Sequence, residues 1–168
     1  MVTGGARDVG REIVLALANE GAAVAINYRG SEDAANTLVA EINVAGGTAR
    51  AYGADVTDYH ATKAMVGQVV ADLGRLDVLV NNAGYVTPQK FIETTPVDWH
   101  IQIDVGLYGV IHCCHAAAPH LAASGDGRII SLAGDSARVG EKNLAITAAS
   151  RGGVLSLTKS LAKELGRD

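Results

Sequence analysis

Short apolar runs alternate with helical patterns along the whole chain, and no other feature of the sequence restricts the fold so strongly. Each run has strand length, and a segment with apolar positions at helical spacing follows it. A chain built this way returns to the same end of a sheet after every helix, so its strands lie parallel. The expected class is α/β in a single domain covering residues 1–168, with no repeat, linker or second domain.

In order, Met1-Val2-Thr3 is a short strand that runs into the turn Gly4-Gly5-Ala6-Arg7-Asp8-Val9-Gly10. Residues 9–20 read as a helix stopped by Gly21, and 23–28 as a buried strand. Ser31 is placed to cap the next helix, with Glu32 and Asp33 in its first turn, and Gly46-Gly47 ends it. A strand over 48–54 leads through Asp55-Val56-Thr57-Asp58 into a helix closing at Gly74. A strand over 76–80 follows, then the turn Asn81-Asn82-Ala83-Gly84 and an irregular loop over 85–94. Thr95-Pro96-Val97-Asp98 is a helix start, with a cap, a proline at the first position and an acid where a capping box needs one. That helix is expected to run to about residue 123. The turn 125–127, a strand over 128–132, a polar loop and a last helix over 148–165 complete the chain.

The glycine turn is the first candidate site. Free N–H groups at a helix N-terminus attract anions, so a dinucleotide pyrophosphate fits there. Gly4 and Gly10 lack a Cβ, which lets the backbone turn tightly and approach a ligand. The spacing is not G-x-G-x-x-G, and in isolation a plain strand-to-helix turn reads the same way.

Composition narrows the remaining classes. With 168 residues, 48% hydrophobic and 19% charged, the chain can bury a sizeable core. A net charge of −4 without a basic run argues against nucleic acid as a partner. No apolar run reaches transmembrane length, and Met1 leads into a glycine turn rather than a signal peptide. Cys113 and Cys114 are neighbours on an expected helix, where adjacent side chains diverge, so no disulfide between them is expected and a reducing cytoplasm fits. His112-Cys113-Cys114-His115 holds four metal-ligand types, but only the histidines share a helix face, which favours a helix in an oligomer contact over a metal site.

Six stretches carry a resemblance: the Thr3-Gly4 turn ending at Gly10, Asp55-Val56, Asn81-Asn82-Ala83-Gly84, Asp98-Trp99, Gly127-Arg128-Ile129-Ile130-Ser131 and Ala149-Ser150-Arg151-Gly152-Gly153-Val154. In this order and spacing the chain resembles the short-chain dehydrogenase/reductase family over nearly its whole length. It is most similar to the 3-oxoacyl-carrier-protein reductases and related small ketoreductases. The resemblance implies a doubly wound, Rossmann-like sheet of strand order 3-2-1-4-5 with helices on both faces. The dinucleotide would lie across the carboxyl ends of the strands.

It also implies cofactor contacts from Thr3, Gly4, Arg7, Asp8, Val9 and Gly10 in the turn. Asp55 would meet the adenine edge, Val56 its ring, and Asn81, Ala83 and Gly84 the ribose and nicotinamide side. An acid at the end of the second strand would select the 2′-hydroxyl of NAD. This chain has Tyr28 and Arg29 there, and Arg7 in the turn. Guanidinium groups suit a 2′-phosphate, so NADP is expected over NAD, the alternative being that Arg29 is a solvated loop charge.

The family pattern breaks at five positions. Asp8 stands where the family turn has glycine, and a carboxylate about 5 Å from a phosphate at an effective dielectric near 20 repels it by roughly 3 kcal/mol. Alternatively Asp8 points to solvent or pairs with Arg7 or Arg11. The family reduces carbonyls with an Asn-Ser-Tyr-Lys tetrad, whose positions fall here on Gly106, Gly134, Thr147 and Arg151. An aliphatic hydroxyl is a far weaker acid than a phenol, and an arginine does not give up its proton, although it can still hydrogen-bond a ribose. Tyr85 and Tyr108 could substitute only if the fold brings a phenol to the nicotinamide.

Relatives also carry two further strands and a substrate lid, so the strand 128–132 is expected to be an open edge unless another chain covers it. They dimerise through the counterparts of helices 95–123 and 148–165, whose apolar faces point to a homo-oligomer. Two functions remain in competition. One is an NADP-dependent oxidoreductase acting on a small ketone, a 3-oxoacyl thioester or a secondary alcohol. The other is a non-catalytic pseudoenzyme, or a structural fragment that oligomerises. The concentration of changes at reactive positions favours the non-catalytic binder.

Overall fold

The computed structural model describes residues 1–166. The elements are α1 (Asp8–Asn19), β1 (Ala23–Tyr28), α2 (Glu32–Val44), β2 (Thr48–Gly53), α3 (Tyr59–Leu73), β3 (Val78–Asn81), α4 (Pro96–Ile103), α5 (Gly109–Ser124), β4 (Arg128–Ser131), α6 (Ser136–Val139) and α7 (Ala145–Leu165).

Val2 joins the two halves of the sheet. β1 pairs with β2 and β3 with β4, all parallel. Val2 makes parallel bridges to Ile26 on one side and Val80 on the other. Its N–H donates to Ala25 O at 2.9 Å and its own carbonyl accepts from Asn27 N at 3.0 Å. On the other side Thr3 N donates to Val80 O at 3.0 Å and Val80 N to Met1 O at 2.8 Å. The spatial order is β2-β1-Val2-β3-β4. Counting the Val2 segment as the first strand, this is the order 3-2-1-4-5.

Side chains that alternate along each strand feed two separate cores. Val2, Val24, Ile26 and Val80 point to one face and pack with Val14 of α1 and Leu38 and Ile42 of α2. Met1, Ala25 and Leu79 point to the other and meet Val66 and Val69 of α3, Val110, Cys113, Ala117 and Leu121 of α5, and Val154 of α7. Helices on both faces make the sheet doubly wound. β4 has no second strand partner among the described residues. Its Ile130 is half exposed, and a groove of about 320 Å³ lies beside it against α5 and α7.

Two helix starts, those of α3 and α4, are satisfied by side chains. Asp58 accepts from Ala61 N at 3.0 Å and so caps α3. Asp98 Oδ2 accepts from both Thr95 N and Thr95 Oγ1 at 2.8 Å ahead of α4. Ser31 precedes α2 but its side chain makes no cap, because the chain enters the helix without turning the hydroxyl toward the free N–H groups.

The expected helix 95–123 is not continuous. A π-turn over Asp104–Tyr108 separates α4 from α5, and buried Gly106 lies inside it. A Cβ on Gly106 would stand 2.5 Å from Ser150 Oγ, so a side-chain-free residue lets α7 pack closely on the widened turn. α7 also begins earlier than expected, at Ala145. The loops contain a 3₁₀ turn at Phe91–Glu93 and the short helix α6.

Candidate functional site

The sheet order reverses at Val2, and a cleft of about 730 Å³ opens there across the carboxyl ends of the strands. Its wall is built from the glycine turn, the ends of β1 and β2, the segment after β3, and Arg151 of α7.

Three polar side chains, two of them buried, hold the turn in shape. Thr3 Oγ1 accepts from Asn82 N and Ala83 N, each at 3.0 Å. Asn82 Nδ2 donates to Thr3 O at 3.0 Å and Gly4 O at 3.1 Å. Asn27 Oδ1 accepts from Gly4 N at 3.2 Å, while its Nδ2 donates to Ala54 O at 3.0 Å. These bonds tie the loop after β3 and the end of β1 to the turn, so the cleft floor is one hydrogen-bonded unit. Asn27 and Asn82 are the residues that sequence reasoning passed over. A polar residue inside the apolar run of β1, 2% exposed, is the signal that could have found Asn27.

The glycines act through space. Gly4 adopts φ +60, open to glycine at little cost. A Cβ on Gly10 would overlap Gly4 O and stand 2.6 Å from Asn82 Nδ2. Asp8, by contrast, carries a side chain at φ 51, a strained backbone position for a non-glycine residue. It is exposed and lines the cleft, and among the described residues no Lys or Arg lies within 4 Å of its carboxylate. Arg11 instead holds Glu12 and Glu41, at 3.0 and 2.7 Å.

Arg7, Val9, Tyr28, Arg29, Asp55, Val56, Ala83 and Gly84 all face the cleft. Asp55 Oδ1 accepts from Thr57 N at 2.9 Å and Thr57 Oγ1 at 2.8 Å, which fixes the carboxylate at the end of β2. Its Oδ2 lies 3.7 Å from Arg29 Nη1, a loose, exposed ion pair. Thr3 and Asn81 stand behind the wall. Asn81 is buried, donating to Ser131 Oγ at 3.1 Å and Cys114 Sγ at 3.4 Å, and its Oδ1 has no partner.

Of the four tetrad positions, Arg151 alone lines the cleft. Its Nη1 donates to Leu132 O at 2.9 Å, and its Nη2 packs against Gly84 so closely that a Cβ there would collide with it. Burial pulls its pKa below the ordinary value. Thr147 is buried, and its hydroxyl donates to Gln102 Oε1 of α4 at 2.6 Å. Gly106 faces Ser150, and Gly134 lies 3.3 Å, measured from an ideal Cβ, from the Ser136 hydroxyl. The arrangement offers a dinucleotide-sized cleft with fixed backbone donors and one inner cation, but no hydroxyl aimed at a bound carbonyl from position 147.

Tyr85 lines the cleft and is 46% exposed, whereas Tyr108 packs on His112 with ring centroids 6.2 Å apart. His112 Nδ1 meets Val56 O and His115 Nδ1 meets the Tyr59 hydroxyl, each at 2.9 Å. Cys113 and Cys114 are free and buried, and burial pushes the Cys113 thiol up to about 12.

Comparison with known proteins agrees with this geometry. The family described as short chain dehydrogenase matches residues 1–168. The chain is 41% identical over 165 residues to the 3-oxoacyl-acyl-carrier-protein reductase of Staphylococcus aureus, covering 98% of this chain and 67% of that protein. It is 36% identical over 164 residues to an acetoacetyl-CoA reductase of Shinella zoogloeoides, covering 98% of this chain and 66% of the relative. Among solved structures, a gluconate 5-dehydrogenase from Burkholderia cenocepacia in complex with NADP and tartrate superposes with a TM-score of 0.93 at 34% identity, over 99% of this chain and 65% of that one. The chain thus spans about two thirds of the length of these relatives. Among the described residues no helix is long and apolar enough to cross a membrane.

Proposed function

Because the chain belongs to the short-chain dehydrogenase family, we propose that its cleft binds a nicotinamide dinucleotide, NADP in preference to NAD, with carbonyl reduction slow or lost. Binding is supported by the floor of Thr3, Asn27 and Asn82, which holds the turn at the N-terminus of α1 open to an anion. Glycine at positions 4 and 10 lets the turn pack closely on Asn82, Ala83 and its own backbone, the shape a pyrophosphate-binding turn needs; the Asp8 carboxylate, which lines the cleft, opposes an anion there. The choice of NADP rests on Arg7 and Arg29 at the cleft rim and on the lack of an acid at the end of β1. The similar gluconate 5-dehydrogenase, which was solved with NADP, adds support.

When bound, the nicotinamide would supply a hydride; the proton must come from the protein. The observation that carries the loss of activity is Thr147. Its hydroxyl is engaged with Gln102 inside the protein, and an aliphatic alcohol there is a poor acid in any orientation. Gly134 offers no donor to a substrate oxygen, and Arg151 keeps its proton. Loss of general acid catalysis alone costs roughly 100- to 10,000-fold in rate.

Two measurements test this reading. A thermal shift with NADP that exceeds the shift with NAD supports it, and no shift with either at millimolar cofactor rejects it. NADPH absorbance followed with a panel of small ketones and 3-oxoacyl thioesters is expected to stay flat. A homo-oligomer formed through α4, α5 and α7 belongs to the same proposal, supported by exposed Val97, Ile101 and Tyr108 around α4. Sedimentation showing only monomer would reject that part. Two buried free thiols are compatible with a cytoplasmic setting.

A further inference from the structure

The arginines of this protein divide into two groups. Arg11, Arg29, Arg50, Arg75, Arg128 and Arg138 each have a carboxylate within 4 Å. Among the described residues Arg7 and Arg151 are the two that do not, and both line the same cleft. Arg7 is exposed, and water can solvate it. Arg151 is different: it is partly buried, and its Nη1 gives one bond, to the neutral carbonyl of Leu132. A guanidinium taken partly out of water without a counter-ion costs free energy that a bound anion would return.

The sheet order places this cation. Arg29 and Asp55 follow β1 and β2 on one side of Val2, whereas Gly84 and Leu132 follow β3 and β4 on the other. The glycine turn lies between. Arg151 therefore stands beyond the pyrophosphate position, at the end of the cleft where the reacting partner of a dinucleotide would lie. The planar fork of a guanidinium matches the two oxygens of a carboxylate, and apolar Val105 lines the same cleft.

Taking the cleft as a ligand site, as proposed above, we infer that its inner end recognises a small carboxylate-bearing molecule, with Arg151 as the anchoring cation. A neutral ketone or a plain alcohol would leave the guanidinium unpaired; a hydroxy acid, an oxo acid or a dicarboxylate would not.

Calorimetric titration of the intact protein with sodium tartrate at fixed ionic strength tests this, with tartaric diamide as the uncharged control and inorganic phosphate as the competing anion. Saturable tartrate binding is expected, with the diamide at least tenfold weaker, the range set by loss of a charged hydrogen bond. Arg151→Gln should weaken tartrate by roughly tenfold or more, and Arg151→Lys by less, since the charge remains but the fork is lost. Arg75→Gln, at a pair with Asp77 outside the cleft, should leave it unchanged. No saturation by tartrate on the unaltered protein overturns the inference even if the variants misfold. Equal affinity for tartrate and its diamide, phosphate binding more tightly than tartrate, or tartrate affinity indifferent to Arg151→Gln overturns it as well. Titration with NADP is read separately. NADP binding without tartrate binding removes this inference and keeps the proposed function, while the reverse removes the proposed function and keeps the carboxylate site.

Discussion

The glycine-turn half of the cleft and the half around α7 are built by different means. In the first, backbone groups face the ligand position, and Thr3, Asn27 and Asn82 lock them with bonds of 3.0 to 3.2 Å. In the second, side chains should do the work, and at positions 106, 134 and 147 they are missing or turned inward. A floor that depends on buried, mutually satisfied polar groups tolerates few changes, because each orphaned partner costs free energy. A reactive side chain contributes to rate and little to folding, so its loss leaves the wall standing. The difference teaches that retained architecture in this cleft says little about retained chemistry.

The largest expected effect comes from rebuilding the second half. Gly106→Asn, Gly134→Ser, Thr147→Tyr and Arg151→Lys together should raise NADPH-dependent ketone reduction by roughly 100- to 10,000-fold, the typical contribution of general acid–base catalysis. Steady-state assays of the fourfold variant check it; an unchanged rate would mean that the two halves do not meet on one ligand. Next in size is damage to the first half. Gly10→Ala places a methyl group on Gly4 O and should destabilise the protein by about 3 kcal/mol, the upper part of the range for overpacking. Urea denaturation measures this, and NADP binding should vanish with it.

Asp8→Gly should improve the first half in two ways. It removes a non-glycine residue from φ 51 and a negative charge from the phosphate position. NADP affinity should rise by about a hundredfold if the full charge repulsion of roughly 3 kcal/mol is relieved. A titration that shows no gain would place the carboxylate away from the phosphates. A separate effect, felt only at alkaline pH, lies outside both halves, in the core beneath the sheet. Burial pushes the Cys113 thiol up to about 12 from 9.0, and burial followed by the hydrogen bond to Asp72 pushes the Tyr52 phenol up to about 12 from 10.0. Both groups ionise more readily in the unfolded chain. Their stabilisation is therefore complete below pH 9.0 and is lost as pH rises toward 12. Urea midpoints across that range should fall, without the plateau expected if neither group were buried.

The first half of the cleft was legible in the sequence because its signals are local. The turn, the run of β1 and the alternation of strands and helices each occupy adjacent residues, whereas the strand order follows from the family resemblance and is borne out by the bridges of Val2 to Ile26 and Val80. What could not be read depends on contacts between distant residues. The bond between Thr147 and Gln102 joins residues 45 apart. Gly106 in the π-turn packs against Ser150 of another helix, so closely that a Cβ would stand 2.5 Å from its hydroxyl. Ser31 has the residue type of a cap but not its geometry, which the path of the chain out of β1 decides. Asn81 belongs to a recognisable motif, yet the pleat sends its side chain behind the wall, toward Ser131 and Cys114. Neither the orientation of Thr147 nor that of Asn81 has a signature in residue order alone.

The most direct measurement is a paired one on the unaltered protein: calorimetric titration with NADPH, followed by addition of a 3-oxoacyl thioester to the saturated sample while absorbance is recorded. Saturable binding and a flat absorbance trace are expected. Absence of binding at millimolar NADPH, or a steady fall in absorbance on adding the thioester, would contradict the proposed function.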